Sequence, residues 1–325
     1  MTLLDTSSAT DAAAVTGSYS YGAPRSRSEQ IVDFMANYSI ETTPGGAAKI
    51  DDFRDHLPVG TKVAVTFLPG SDWRDTVATA KRLRNEGMEP APHVAARSLP
   101  DAKTLDEYVR RLVGEAGVDQ VVALAGAVDR PVGDFMDSMQ LLETGVFDRH
   151  GISTIGVAGH PEGSPDIPEQ AIWQALRWKQ GFAERTDASM YICTQFVFES
   201  QPIIDWDRQI RAEGIYLPVH IGVPGLATLK TLINHARACG IGASMRFLTR
   251  QARNVTKLMT VNAPDELVSN LAHYAETDPN CGIKRVHMYP LGGLKKSAAW
   301  SNAVAEGDFQ LKRDGVGFTV NREVA

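Results

Sequence analysis

The residues of this chain best suited to proton chemistry share one position: each stands at or near the end of a short apolar run. Glu41 lies in YSIET (38–42), Thr66 in KVAVTF (62–67) and His93 in EPAPHV (89–94). DQVVALAG (119–126) ends on Ala125-Gly126-Ala127, and GISTIGVAG (151–159) leads through Gly159 into AGHPEG, with His160. ASMYICTQF (188–196) carries Thr194 and Gln195, IYLPVHIG (215–222) carries His220, and KRVHMYPLGG (284–293) carries His287, Tyr289 and a Gly292-Gly293 turn. A carboxyl group can give or take a proton, an imidazole can do either near neutral pH, and an amide both donates and accepts at the edge of a flat heterocycle. No three His, Cys, Asp or Glu residues fall at zinc or iron spacing, which argues against a metal centre.

Such residues act together only if the fold gathers the run ends. Helical patterns separate the runs: 73–87, closed by Gly87; 105–117, with Leu105, Val109, Leu112 and Val113 on one face; and 131–148, 168–185, 200–213 and 225–239. Strands alternating with helices predict parallel pairing through right-handed crossovers. Eight such units predict a (β/α)8 TIM barrel, with extra helices between strands 7 and 8 (225–276). A doubly wound open sheet is the alternative, weakened by the lack of GxGxxG after the first strand. Residues 1–24, rich in Ser, Thr, Ala and Gly, read as a flexible tail before one barrel domain over 25–325. Barrel enzymes work at the C-terminal ends of their strands, where the residues above would meet.

Composition narrows the partners. A net charge of −6 and pI near 5.8 leave no electrostatic footprint for nucleic acid. No apolar run approaches the roughly 18 residues of a membrane span, and the first residues lack a secretory pattern. Cys193, Cys239 and Cys281 form no CxxC pair, read as ordinary buried thiols and fit a reducing cytoplasm. No stripe identifies an oligomer interface, although a barrel of this size is a possible homo-oligomer.

In order and content the motifs resemble the methylenetetrahydrofolate reductase family over roughly residues 29–305. The matches are IETTPG around Glu41, VAVTFLPG with Thr66, Ala91-Pro92-His93, VVALAG, VAGHPEG, LRWK ending at Lys179, Cys193-Thr194-Gln195-Phe196 and His287-Met288-Tyr289. The resemblance implies a barrel holding FAD at the strand ends, reducing 5,10-methylenetetrahydrofolate to 5-methyltetrahydrofolate, with NAD(P)H reloading the flavin. It implies Glu41 as the acid that protonates N10 as the substrate ring opens, and Gln195 and Tyr289 as folate contacts. Thr66, His93, Gly126, Ala127, Gly159, His160 and Lys179 fall at flavin contacts, with Lys179 paired to the diphosphate.

The chain departs from the family pattern at charged contacts. Ala125-Gly126-Ala127 stands where the family has Arg-Gly-Asp, His160 where it has Tyr, and Leu291-Gly292-Gly293 where it has Leu-Asn-Arg. Lys295 or Lys296 is left to pair with the folate's glutamate tail. Losing an acid beside the flavin favours its reduced anionic form and raises its potential, which suits the oxidative direction in one-carbon catabolism. The same losses also fit altered flavin contacts, or direct use of nicotinamide without flavin. A lyase or aldolase with GVPG (222–225) and LGG (291–293) as a phosphate cup, and a non-catalytic folate-binding protein, remain as alternative functions.

Overall fold

Eight of the apolar runs form strands, and the strands close on themselves. They are β1 (Ser39–Thr42), β2 (Lys62–Val65), β3 (Glu89–Ala95), β4 (Gln120–Leu124), β5 (Thr154–Gly159), β6 (Ser189–Phe196), β7 (Val219–Pro224) and β8 (Ile283–Tyr289). The computed structural model describes residues 25–238, 248, 261–313 and 315–324. The stretch read as a tail, 1–24, and Cys239 lie outside the described residues. Every neighbouring pair is parallel, and β1 closes the barrel on β8 through Ser39↔His287 and Ile40↔Met288.

The closure follows from alternation. Ile40, Val63, Val121, Val157, Ile221 and Val286 are fully buried beneath the helical layer, so their strand neighbours turn to the barrel axis. Many barrels fill that axis with bulky aliphatic residues. Here the register places Ser39, Lys62, His93, Tyr191, Cys193, His220, Arg285 and His287 there. Tyr191 crosses the axis over Gly156, where a Cβ would come within 2.6 Å of the phenol carbon Cζ.

The helices obey local signals at their ends. Trp73–Asn85 is capped by Asp72, and Ala102–Ala116 by Asp101 and a left-handed Gly117. Trp73 and Tyr108 pack these two helices together, their ring centroids 5.3 Å apart. Two expectations fail locally. The single helix predicted over 131–148 is a loop followed by Ser138–Glu143 and Val146–Arg149, because Gly145 between them takes φ +65°. The seventh strand begins four residues later than its apolar run. Gly214 turns at φ +78°, the Ile215 N–H bonds back to the Ile210 carbonyl, and Tyr216 points outward, 70 % exposed.

Helices Leu229–Ala238 and Asp265–Thr277 stand between β7 and β8, as the long spacing predicts. Helix Leu294–Ala305 follows β8, and a hairpin of Phe309–Leu311 with Phe318–Val320 packs its Phe318 ring on Trp300 at 5.7 Å. Among the described residues no helix is long and apolar enough to cross a membrane.

Candidate active site at the strand ends

Glu41 is the third residue of β1, and its side chain is 15 % exposed at the rim. Its Oε2 lies 3.6 Å from Nε2 of His287, an axis-facing residue of β8. The opposite ring nitrogen, Nδ1, lies 2.9 Å from the hydroxyl of Ser39, two residues before Glu41 on the same strand. Ser39 can give its own proton to the Val286 carbonyl at 3.4 Å, leaving its oxygen to accept from Nδ1–H. That tautomer turns a lone pair on Nε2 toward Glu41. Ser39 carries no signal of its own in the sequence beyond sharing the parity of Glu41.

The contacts run on toward β6. The His287 and Tyr289 rings meet edge to face at 4.9 Å, and the Tyr289 hydroxyl donates to the Thr194 carbonyl at 2.8 Å. Thr194 sits at an irregularity: β6 spends three residues from Cys193 to Phe196 while β7 spends two. Its hydroxyl fills the broken ladder by accepting from the Gly222 N–H at 2.9 Å. Gln195 follows, and its Oε1 is buried with no hydrogen-bond partner; Thr66 Oγ1 on the strand-2 side is in the same state. Two orphaned polar atoms at one rim are what a site needs for a ligand that brings their partners.

Burial sets the protonation of the imidazoles. His93 is pushed down to about 4 by burial and by His287, against the pull of Glu41, so its ring is neutral at physiological pH. His220 is pushed down to about 2 by burial and by Arg285, His287 and Lys62. It lies well below the rim, stacked on Tyr191 at 3.8 Å, and belongs to the barrel's interior packing. The Cys193 thiol, read from sequence as an ordinary buried cysteine, faces the axis and is pushed up to about 12 by burial and the charge of Glu41. It stays a thiol beneath the acid.

The β4 and β5 side of the rim is built differently. Gly126 turns at φ +91°, where a Cβ would stand 3.2 Å from that of Ala95; neighbouring Ala125 accepts from the Arg97 N–H, and Ala127 is exposed. Lys179 comes from the helix Glu169–Ala183, is 5 % exposed, and donates to the Ala158 carbonyl at 3.0 Å. Burial pushes it down to about 8, against a pull from Asp137. His160 follows Gly159, and burial and the Lys179 charge push it down to about 4. Lys295 is exposed in the first turn of Leu294–Ala305. Its neighbour Lys296 lines a cavity of about 920 Å³ beside Pro224, Leu226 and Trp300. Among the described residues no three His, Cys, Asp or Glu side chains group to hold a metal.

The methylenetetrahydrofolate reductase family model matches residues 47–291, more than half of the chain. The chain belongs to the methylenetetrahydrofolate reductase family. It is 26 % identical to methylenetetrahydrofolate reductase 2 of Saccharomyces cerevisiae over 206 residues, which cover 61 % of this chain and 32 % of that protein. The chain therefore spans about a third of the length of the curated relative it matches. Among solved structures it is similar to an uncharacterized protein from Clostridium thermocellum described as binding two copies of 5-methyl-5,6,7,8-tetrahydrofolic acid. That match has 13 % identity and a TM-score of 0.46, and covers 85 % of this chain and 96 % of that one. The carboxyl transferase domain of Rhizobium etli pyruvate carboxylase gives 12 % identity and a TM-score of 0.42, covering 86 % and 45 %. Likeness at this level carries no functional argument. In this methylenetetrahydrofolate reductase relative the contacts around Glu41 run from Ser39 through His287 and Tyr289 to the Thr194 carbonyl.

Proposed function

We propose that the chain is a folate-dependent oxidoreductase that interconverts 5,10-methylenetetrahydrofolate and 5-methyltetrahydrofolate at this rim, with FAD as hydride carrier and 5-methyltetrahydrofolate oxidation as the favoured direction. The observation that carries the reading is the Ser39–His287–Glu41 arrangement at the mouth of a barrel from this family. The five-membered ring of methylenetetrahydrofolate must open at N10 before its one-carbon unit, held as an iminium at N5, can accept a hydride. Opening needs a proton at N10, and Glu41 is a carboxyl group 3.6 Å from an imidazole whose other nitrogen lies 2.9 Å from the Ser39 hydroxyl. In the oxidative direction the same carboxylate takes the proton back as the ring closes. The orphaned Oε1 of Gln195 supports a role for this amide in accepting from a donor on the pterin edge.

The rim from β2 through β5 offers groups that would suit a flavin. Lys179 offers a buried ammonium with one hydrogen bond, Thr66 an unpartnered hydroxyl, and His93 a neutral ring. Bound there, FAD would supply a centre that accepts and returns hydride. Lys179 would hold its diphosphate, and Thr66, His93, Gly126, Ala127, Gly159 and His160 would bound the rest. NAD(P)H is the proposed partner for reloading. The two described cysteines, Cys193 and Cys281, are free, in keeping with a cytoplasmic setting.

The test is the anaerobic spectrum of the purified protein with and without 5-methyltetrahydrofolate. A yellow protein whose flavin band bleaches on addition is the expected result. A colourless protein that oxidises the folate with nicotinamide alone removes the flavin, and a protein of either colour that leaves the folate unchanged removes the reaction.

A further inference from the structure

The face of the barrel opposite the rim holds a cavity of its own. It measures about 650 Å³ and lies between the C-terminal end of the helix Ser200–Ala212, the turn before β7 and the turn before β8. That volume suits a small organic ligand, and a bare ion would fill only a corner of it. Its floor is a buried ion pair. Asp207 is fully buried and accepts from the Tyr274 hydroxyl and the Gly282 N–H, each at 2.9 Å, and from Arg211 Nη2 at 3.3 Å. Arg211 also donates to the Ile215 and Leu217 carbonyls, and Gly282 leaves room for it, since a Cβ there would run into the guanidinium.

The walls keep donors to spare. Arg208 is held by Asp278 Oδ2, through Nε at 3.1 Å and Nη2 at 3.0 Å, and by the Tyr274 ring at 5.2 Å, which leaves Nη1 for a ligand. Among the described residues Asp278 is the only acid in the lining, and its other oxygen is taken by the Asn280 N–H at 3.1 Å. Lys284 is exposed and spends one of its three donors, on the Cys281 carbonyl at 2.9 Å. Tyr216 lines the cavity 70 % exposed, while its backbone N–H is pinned by the Gln180 side chain at 2.8 Å. Arg208, Arg211 and Lys284 outweigh Asp207 and Asp278 by one charge, in a chain whose net charge is −6. Asp205 and Glu213, on the same helix and at its end, are exposed and engaged by Gln201 and Arg177.

We infer that this cavity binds a nucleoside phosphate, with the base stacked on Tyr216 and the phosphate taken by Arg208 and Lys284. Tyr216 is the one aromatic side chain in the lining, and its exposed ring gives a flat base a face to cover. A guanidinium and an ammonium at one mouth recognise a phosphate through charge-assisted hydrogen bonds. Arg208 and the floor beneath it are fixed before a ligand arrives, which lowers the entropy lost on binding. Lys284 and Tyr289 stand five residues apart on β8, about 16 Å of strand. A ligand seated here therefore leaves the rim open, whether or not the proposed reaction takes place there.

The experiment is isothermal titration of the full chain, as purified, with adenosine 5′-monophosphate, and with adenosine and inorganic phosphate as partial ligands. The monophosphate should bind with a Kd below about 1 mM, and each partial ligand at least about tenfold more weakly. Tyr216→Ala should weaken the monophosphate about tenfold through lost stacking, and Tyr216→Phe should keep the native affinity. Lys284→Ala should weaken it about fivefold and flatten its dependence on salt. Both side chains are exposed, so each free variant should melt with the native chain. Saturating 5-methyltetrahydrofolate should leave the affinity unchanged. An absence of saturable binding, binding that survives both Tyr216→Ala and Lys284→Ala, a partial ligand that binds as tightly as the monophosphate, or displacement by the folate would each overturn the inference.

Discussion

The two halves of the rim handle polar groups in opposite ways. Around β1 and β8, Glu41 meets His287, His287 meets Ser39 and Tyr289, and Tyr289 meets the Thr194 carbonyl. Around β4 and β5, Lys179 has one bond, the His160 ring has none described, and Ala125-Gly126-Ala127 offers backbone without side-chain charge. Groups already in contact with one another hold their geometry before a ligand arrives, whereas groups left short of partners, Gln195 Oε1 and Thr66 Oγ1 among them, are stabilised only when a ligand supplies them. Under the proposed function the first half would orient a proton donor, and the second would receive the cofactor.

The comparison breaks most decisively at Glu41. Glu41→Gln should lower folate turnover by on the order of 10²-fold or more while leaving hydride exchange with nicotinamide intact. Anaerobic rapid mixing measures both, and unchanged folate turnover would remove the acid from the proposed reaction.

On the other side, Lys179→Met should make the apo chain more stable. The folded value of Lys179, about 8, lies below its ordinary 10.5, so the fold disfavours the charged form. The penalty is full below pH 8 and is relieved as pH rises toward 10.5, so the native chain gains stability over that interval. At pH 7 the substitution should add up to roughly 3 kcal/mol, and the variant should lose the gain between pH 8 and about 10. Denaturant titrations at pH 7 and 9.5 check this; a destabilised variant would mean that Lys179 is already satisfied.

Ser39→Ala should cost folate turnover about fivefold, the worth of one hydrogen bond orienting His287, with a shifted pH profile and little loss of stability. A variant with the native profile would show that the imidazole is held by packing alone. The smallest effect is expected at Ala127→Asp, which restores an acid to an exposed loop: the flavin midpoint should fall by roughly 20 mV, about 1 kcal/mol for a two-electron couple. A midpoint that rises or stays put would separate the loop from the flavin.

Much of this was legible before any coordinates. The period-2 runs and the helices between them predict the barrel, and placing chemistry at strand ends puts Glu41, Thr66, His93, Gln195 and Tyr289 on one rim. The errors came where a local signal has two meanings. The seventh apolar run stops at 222, but β7 continues through Val223 and Pro224, which keeps His220 in a structural place deep against Tyr191. The pattern over 131–148 reads as one helix until Gly145 turns left-handed. Ser39 and Cys193 look like ordinary strand residues, and their neighbours come from β8 and β1.

The sequence by itself determined the alternation of strands and helices, the charge balance and the types of residue at each strand end, because these depend on local periodicity and composition. Tertiary structure alone decided which of those residues share a hydrogen bond and which go without. Closing β1 onto β8 brings Ser39 to His287 across 248 positions of chain, and the packing of Glu169–Ala183 carries Lys179 back to the Ala158 carbonyl. Burial then fixes the charge on each group, since desolvation acts through neighbours that are distant in sequence.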